Sequence, residues 1–319
     1  PEATRSIWNM FVHDAEAYND PGTFTAMTGF EWTSGPGGNN LHRVVIFGDG
    51  ADKTSRTLPY STFDSDDPED LWKYLESYEA TTGGRAIAVP HNGNLSNGLM
   101  FTKTDFSGRP MTRAYAEKRL RWEPIREMSQ VKGDEETHPF LSPEDEFADY
   151  ENWDVSNLDG SAKKTEDMLQ YEYARSALRI GLELGAEIGA NPYKFGMSAA
   201  TDSHTGLATS REENYFGKYQ HTEPSAERQG REVIPAADPS LRIMTSQEVA
   251  SGLAAVWARE NTRTAILDAM KRKEVYATTG TRIRVRVFAG WDFEADEVSR
   301  PDFVDQGYRR GVPMGGDLR

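Results

Sequence analysis

Cysteine is absent from this sequence of 319 residues. Its absence excludes disulfide bonds, zinc sites built from thiolates and cysteine nucleophiles. Any metal ion in the protein would therefore be held by nitrogen and oxygen atoms of histidine, aspartate and glutamate side chains. Together with the acidic composition, the lack of cysteine suits an exported protein, although cytosolic proteins can also lack cysteine.

Long hydrophobic runs and positive charge are also scarce. The apolar runs at 44–47 and 86–89 are far shorter than the stretch of about 20 residues that crosses a bilayer. Lysine and arginine number 36 against 51 aspartates and glutamates, which gives a formal net charge of −15. A protein with this charge repels a phosphate backbone. We therefore expect neither a membrane nor a nucleic acid to be its main partner.

The spacing of apolar residues predicts strands that alternate with helices. We expect helices at 6–18, from 67 to the glycines at 83 and 84, at 166–190 and at 262–273, and strands at 23–31, 41–47, 85–89, 195–200 and 274–278. This order is typical of a parallel sheet or an α/β barrel. Two polar segments, 132–164 and 205–241, interrupt the pattern and are expected to be long insertions that form a lid near the site.

Two histidines follow predicted strands, in turns rich in polar residues. His91 comes after the strand at 85–89, and His204 after the strand at 195–200. Barrel and doubly wound enzymes place their site residues at such strand ends. Asp202 precedes His204 by two positions, so on an extended segment both side chains would point the same way and could bind one metal ion. The alternative is that Asp202 caps a helix and that both histidines are structural.

Glu31, His42 and His138 are further candidates. Glu31 lies at the end of an apolar strand, where the alternative is a capping or edge-strand carboxylate. His42 lies within the strand at 41–47, on the face opposite Arg43, and a core histidine is an equal alternative. His138 lies in a polar segment as a candidate ligand or proton shuttle, the alternative being a surface-loop residue.

Two arginines are candidates for binding an anionic substrate. Arg43 neighbours His42, and Arg282 follows the predicted strand at 274–278. An acidic protein that acts on a phosphate ester needs positive charge at its site. The sequence contains no GxSxG, GxxxxGK[ST] or HExxH motif. Carboxylates and imidazoles without thiolates instead suit Zn, Mn or Fe, and could hold two ions that activate a water molecule.

Six segments, taken in order, resemble the DUF3604 family, which looks like a branch of the polymerase and histidinol phosphatase (PHP) superfamily. These segments are 29–34, 40–47, 90–98, 136–139, 200–206 and 276–280. The resemblance extends from about residue 6 to residue 318. It implies an α/β fold, namely a distorted (β/α)7 PHP-like barrel with long loop insertions. That barrel would occupy 1–290, and 291–319 would begin a C-terminal extension or small β element.

The resemblance also implies two or three divalent metal ions, here Zn, Mn or Fe, at the strand ends. Glu31 would bridge two of the ions. The other implied ligands are His91 and the pair Asp202 and His204, with His42 and His138 as further candidates. The superfamily's opening His-x-His motif is absent from this chain, so the first barrel strand is expected to be missing.

Three functions remain open from the sequence. The first is a metal-dependent hydrolase of a small anionic substrate, a phosphate ester, in which the ions activate water and Arg43 and Arg282 neutralise the phosphate oxygens. The second keeps the metal ions but hydrolyses an amide, a lactone or a sulfate ester. The third is a non-catalytic module that binds a metal or a ligand. A substrate panel separates the first two, and inactivity of a chain that includes the expected strand would favour the third.

Overall fold

The structure is a computed structural model that describes residues 2–206, 218–219, 225–249 and 252–318. This part of the chain contains eight α-helices and thirteen strands. The helices are α1 (Glu2–Ala17), α2 (Ala51–Thr54), α3 (Pro68–Thr82), α4 (Arg113–Trp122), α5 (Glu166–Leu169), α6 (Ala174–Ile188), α7 (Arg263–Lys271) and α8 (Phe303–Arg310). The strands are β1 (Gly29–Trp32), β2 (Arg43–Phe47), β3 (Ala86–Pro90), β4 (Ile125–Glu127), β5 (Ser129–Gln130), β6 (Gly133–Asp134), β7 (Gly196–Ser198), β8 (Glu232–Ile234), β9 (Ile243–Met244), β10 (Leu253–Val256), β11 (Val275–Thr278), β12 (Phe288–Ala289) and β13 (Val312–Pro313).

The largest sheet among the described residues has three strands in the order β1-β2-β3. Both strand pairs are antiparallel, and a glycine-rich turn at 35–38 lies between β1 and β2. Each other sheet in these ranges has two strands, and β4 with β7 is the parallel pair. β3 lies beside β4, and β7 lies beside β11.

The prediction of a distorted (β/α)7 barrel is wrong. Across the described ranges, the strands form separate sheets of two or three strands and close no barrel. The reason is visible where β2 ends at Phe47 and β3 begins directly opposite, at Ala86. The connection through α3 returns to the end of the sheet from which it left, which makes an antiparallel pair. A barrel needs crossovers that carry the chain to the opposite end.

Helix α3 begins and ends where its capping residues predict. The Asp67 side chain accepts the backbone N–H of Glu69 at 2.9 Å, which satisfies one of the free donors at the start of the helix. Pro68 occupies the first turn, where its missing N–H costs no hydrogen bond. Gly83 ends the helix with φ +64°, a left-handed conformation that favours glycine.

Strand β3 is buried on both faces and carries the chain into the candidate site. Ala86 and Ala88 pack in the main core with residues of α1, α3, α4 and α6. The alternate residues Ile87 and Val89 pack on the other face, against Leu267 of α7. Because both faces are packed, the strand end and the residue that follows it have a well-defined position.

The predicted insertions and the C-terminal segment differ in how far the structure describes them. Within 132–164, which is fully described, the strand β6 is the one regular element. The predicted lid segment 205–241 lies partly outside the described residues. Beyond it, β12 pairs with β13, so strands on both sides of residue 290 form one small sheet.

No described helix combines the length and the apolar character needed to cross a membrane.

Candidate metal centre and its charged surroundings

Strand register brings three candidate residues to one face of the three-stranded sheet. Glu31 pairs with Val44, and Val44 pairs with Val89, so these three residues share a face. His42 lies two positions before Val44, directly before β2, and His91 lies two positions after Val89, directly after β3. Side chains two residues apart on a strand point to the same face, which places both imidazoles beside Glu31.

The side chains meet at one oxygen atom. Glu31 Oε1 lies 2.8 Å from His42 Nδ1 and 3.0 Å from His91 Nε2. The three donor atoms all lie within 4.8 Å of one another, and no other group of this kind occurs in the described ranges. The predicted candidates Glu31, His42 and His91 are therefore brought together, and the reading of His42 as an isolated core residue is not supported.

The ionisation of this cluster follows from burial and hydrogen bonding. Burial raises the pKa of Glu31, but its interactions with His204, His42 and His91 outweigh that effect and hold the pKa well below its usual range. Burial lowers the pKa of His42, against the opposing effect of Glu31. An ionised carboxylate beside a neutral imidazole is the state in which both groups can bind a metal cation.

The loop that follows β3 holds His91 in place. Glu135 is fully buried and accepts the backbone N–H groups of Asn92 at 2.7 Å and Gly93 at 2.8 Å, while Arg126 pairs with the same carboxylate. Asn92 has φ +51°, a left-handed conformation that asparagine tolerates better than most residues. At Gly93 a Cβ atom would lie 2.5 Å from a backbone oxygen, so only glycine fits.

The donor set suits a transition metal ion. Two imidazoles and one carboxylate make up a common set of three protein ligands in catalytic zinc sites, which leave a further position for water or substrate. The carbonyl of Val89 lies 3.5 Å from His91 Nδ1, on the side of the ring away from Glu31. Metal binding would use the lone pair of Nε2, the atom that faces the cluster, with the proton on Nδ1.

His204 lies next to this cluster. Its Nδ1 atom is 2.9 Å from the backbone carbonyl of Asp202, and its Nε2 atom is 3.7 Å from Glu31 Oε2. A carbonyl oxygen can only accept, so Nδ1 carries a proton, and Nε2 is the ring atom that faces Glu31.

Asp202 has different partners from those expected of a metal ligand. Its carboxylate contacts the ammonium groups of Lys132 and Lys218, and the side chains of both lysines are less than 8% exposed. Burial, followed by the nearby charge of Lys218, lowers the pKa of Lys132 well below its usual range. Asp202 does not join the group formed by Glu31, His42 and His91. The structure thus brings His204, but not the Asp202 carboxylate, to the predicted ligands.

A protein-family model matches this chain over its whole length. The family model described as "Protein of unknown function (DUF3604)" matches residues 1–319. The chain belongs to the DUF3604 family. No curated protein and no solved structure matches it. The family predicted from the six sequence segments is therefore confirmed, while its description names no activity for the DUF3604 chain.

Sequence reasoning missed a second carboxylate of this DUF3604 protein. Glu127 ends the three-residue strand β4, is 5% exposed and accepts a hydrogen bond from Gln130 Nε2 at 2.8 Å. Burial raises its pKa to about 7, against the opposing charge of nearby His91. An apolar residue before a strand-end acid was the available signal. The apolar stretch before Glu127 was too short to predict a strand, because Arg126, which is buried with Glu135, interrupts the apolar pattern.

Arg43 is placed away from the cluster, inside the core of the DUF3604 chain. It is 1% exposed, and its Nε atom donates to Glu123 Oε1 at 3.0 Å. The same carboxylate accepts from Trp72 Nε1 at 3.0 Å and from Arg119 Nε at 3.1 Å. As predicted from strand alternation, Arg43 points to the face opposite His42. That geometry gives Arg43 an internal ion pair in place of a substrate contact.

The other two predicted residues are also separate from the cluster in the DUF3604 structure. His138 Nε2 lies 2.9 Å from Asp154 Oδ2, and His138 Nδ1 accepts the backbone N–H of Phe140 at 3.1 Å. Both ring nitrogens are therefore engaged, and the contact lowers the pKa of Asp154. Arg282 is exposed on the irregular segment that follows β11. Neither residue joins the group around Glu31.

Proposed function

We propose that the chain is a metal-dependent hydrolase that acts on a phosphate ester, with a chemistry like that of the PHP superfamily. The observation that carries this proposal is the convergence of His42 Nδ1 and His91 Nε2 on Glu31 Oε1, at 2.8 and 3.0 Å. His204 Nε2, at 3.7 Å from the other oxygen of Glu31, is the fourth candidate ligand. The resemblance to the superfamily rests on sequence segments and does not extend to its barrel.

The residues around the ion have separate tasks. When bound, a divalent ion would act as a Lewis acid and lower the pKa of a water molecule, so that the water could lose a proton and attack near neutral pH. His42, His91 and Glu31 would hold it, and imidazole with carboxylate suits Zn, Mn or Fe. Glu135 holds the loop that positions His91. Glu127, buried beside His91 with its pKa raised to about 7, can exchange a proton at neutral pH.

The described residues assemble one group of ligands around Glu31, so we propose one ion there and leave the predicted second and third ions to measurement. A substrate phosphate needs positive charge at the site. Lys132 and Lys218, buried on Asp202, can supply it when they are protonated, which favours an anionic ester over an amide or a lactone. A sulfate ester shares this charge requirement and belongs in the same assay.

The test is hydrolysis by the wild-type chain and a Glu31→Gln variant. Aryl phosphate monoesters, phosphate diesters and sulfate esters are supplied with Zn²⁺ or Mn²⁺, and an aryl acetate serves as the uncharged comparison. We expect turnover of a phosphate ester by the wild type and a loss of at least about 100-fold in the variant. His13→Ala, at an exposed position on α1, is the control and should keep full activity. Equal rates in the wild type and Glu31→Gln would refute the proposal.

A further inference from the structure

Lys132 and Lys218 place two buried ammonium groups on a single carboxylate. Both Nζ atoms contact Asp202 Oδ2, and Lys218 Nζ also donates to the Asp202 backbone carbonyl at 2.8 Å. The side chains of Lys132 and Lys218 are 7% and 4% exposed. Burial lowers the pKa of both lysines, so a further anion would favour the doubly charged state, which carries one positive charge more than Asp202 neutralises.

A buried surplus charge is costly unless a counter-ion accompanies it. Removing an ammonium group from water carries a large penalty, which hydrogen bonds and opposite charge must offset. Asp202 provides one carboxylate for two lysines, and each ammonium group has three N–H donors. The contacts with Asp202 use only part of these donors. An anion beside the two lysines would offer further acceptors and favour the state in which both are charged.

The lysine pair is joined through its backbone to the segments that carry the candidate metal ligands. The carbonyl of Lys132 accepts from Asn94 Nδ2 at 3.0 Å, and Asn94 belongs to the loop that begins at His91. The carbonyl of Lys218 accepts the backbone N–H of His204 at 2.7 Å. Each lysine is therefore held to a segment that carries one imidazole of the site. An anion bound by the lysines would lie next to the cluster around Glu31.

We propose that Lys132 and Lys218, held in place by Asp202, are the anion-binding residues of this site and bind the phosphate group of the substrate. They take the role predicted for Arg43 and Arg282, which the structure places in an internal ion pair and on an exposed segment. Asp202 is then a positioning residue for the lysines. This inference rests on the proposed function for the reaction, but binding of the anion can be measured without turnover.

Chemistry favours phosphate as the bound group. Lysine ammonium groups act as compact point charges toward phosphate oxygens. A phosphate monoester carries up to two negative charges near neutral pH, so it can neutralise the surplus on the lysine pair. An amide or a lactone is uncharged and would leave that surplus in place. Free phosphate, the product of monoester hydrolysis, carries the same oxygen atoms and is the simplest probe.

The experiment is calorimetric titration of inorganic phosphate into the wild type and into Lys132→Met and Lys218→Met variants. Each protein is measured both free of metal and loaded with Zn²⁺, and its metal content is determined on the same sample. We expect each methionine variant to bind phosphate at least about 10-fold more weakly, with unchanged metal content. Lys271→Met is the control because Lys271, a partly buried lysine with a side chain 31% exposed, has one carboxylate partner, Glu79 at 3.6 Å.

Three results would overturn the inference. They are unchanged phosphate affinity in both methionine variants, a wild type that binds no phosphate in either metal state, and a parallel loss of metal in the lysine variants. If a methionine variant does not fold, glutamine at the same position removes the charge, keeps a hydrogen-bond donor and must show the same loss. A wild type that binds no metal but binds phosphate through the lysines would refute the proposed hydrolase and leave the anion site supported.

Discussion

His42 and His91 lie opposite each other one residue beyond the last paired positions of β2 and β3, with their ring centroids 5.7 Å apart. The two residues are far apart in the chain, and antiparallel register alone brings them together. Glu31 reaches both rings from the neighbouring strand β1. The candidate metal centre therefore receives one side chain from β1 and one from each residue that directly adjoins β2 and β3.

This arrangement predicts that each imidazole is needed for metal binding. Loss of an outer partner of a metal ligand already costs about 10- to 100-fold in affinity, so His42→Ala or His91→Ala should weaken Zn²⁺ binding at least about 100-fold. Competition with a fluorescent chelator measures the affinity. His13→Ala should bind Zn²⁺ like the wild type, because His13 is exposed on α1. Equal affinity in all four proteins would exclude the cluster as a metal site.

The pH dependence of metal binding should follow the lowered pKa of His42. A proton competes with the metal for the imidazole, and burial lowers the pKa of His42 below its ordinary value of 6.5. We therefore expect the Zn²⁺ affinity of the wild type to change little as the pH falls from 8 to about 6.5, and to decrease below that range. A steep decrease that starts above pH 7 would contradict the lowered pKa. The same chelator competition, repeated at each pH, gives the result.

The Asp202→Asn variant tests whether the Asp202 carboxylate holds the two lysines or binds the metal. If the carboxylate mainly holds Lys132 and Lys218, the variant keeps its metal content and alters phosphate affinity, because both lysines lose their anionic partner. If the carboxylate is a metal ligand, as the family resemblance implied, the variant loses metal. Elemental analysis beside phosphate titration distinguishes the two. We expect metal content within about 20% of the wild type, since the Asp202 side chain does not join the Glu31 group.

The buried ion pair of Arg43 and Glu123 should matter for stability. Glu123→Gln leaves two buried arginines, Arg43 and Arg119, without a carboxylate, and breaking a buried pair typically costs about 3–5 kcal/mol. We expect a loss of about 3 kcal/mol in the free energy of unfolding, because glutamine keeps one acceptor oxygen. Urea denaturation at pH 7 measures it. Glu117→Gln, which breaks the exposed pair with Arg113 on the same helix, should cost less than about 0.5 kcal/mol.

Substitution of Arg43 tests whether this arginine stabilises the fold or binds the substrate. Arg43→Met should also reduce stability, because Glu123 loses one of its two arginine partners. Among molecules that remain folded, however, its phosphate affinity should equal that of the wild type. Selective loss of phosphate binding without loss of stability would restore Arg43 to the role predicted from the sequence.

Glu127 should make stability depend on pH. Its pKa is raised from 4.5 to about 7 in the folded protein, so the folded state favours the protonated form. The contribution of Glu127 is therefore most favourable below pH 4.5 and is lost as the pH rises toward 7. Glu127→Gln removes this loss and should stabilise the metal-free protein by about 2–3 kcal/mol at pH 8, with a smaller gain at pH 5.

Thermal unfolding of wild type and Glu127→Gln in the presence of a chelator measures this difference. The chelator removes the effect of metal on the neighbouring ligands, and glutamine keeps an oxygen that can accept from Gln130. Glu187→Gln at an exposed position of α6 is the control and should show no trend with pH. A Glu127→Gln difference that is the same at pH 5 and pH 8 would contradict the raised pKa.

Local signals in the chain were sufficient for the helices and for part of the site. The cap at Asp67, Pro68 in the first turn and Gly83 at the end of α3 act within one helix, and they predicted its bounds. Polar residues directly after apolar strands indicated Glu31, His91 and His204, because a strand end is a local feature. Alternation within the predicted strand at 41–47 placed Arg43 and His42 on opposite faces.

Relations between distant segments were decided only in the folded chain. Whether α3 leads to a parallel or an antiparallel neighbour depends on the end of the sheet to which the chain returns, and Phe47 opposite Ala86 shows that it returned to the same one. Lys132 and Lys218 carry no pattern in the sequence, since a lysine in a polar segment is usually solvated. They reach Asp202 because packing of separate loops brings them there. Sequence order therefore specifies the strand-end residues, and tertiary packing selects which charges surround them.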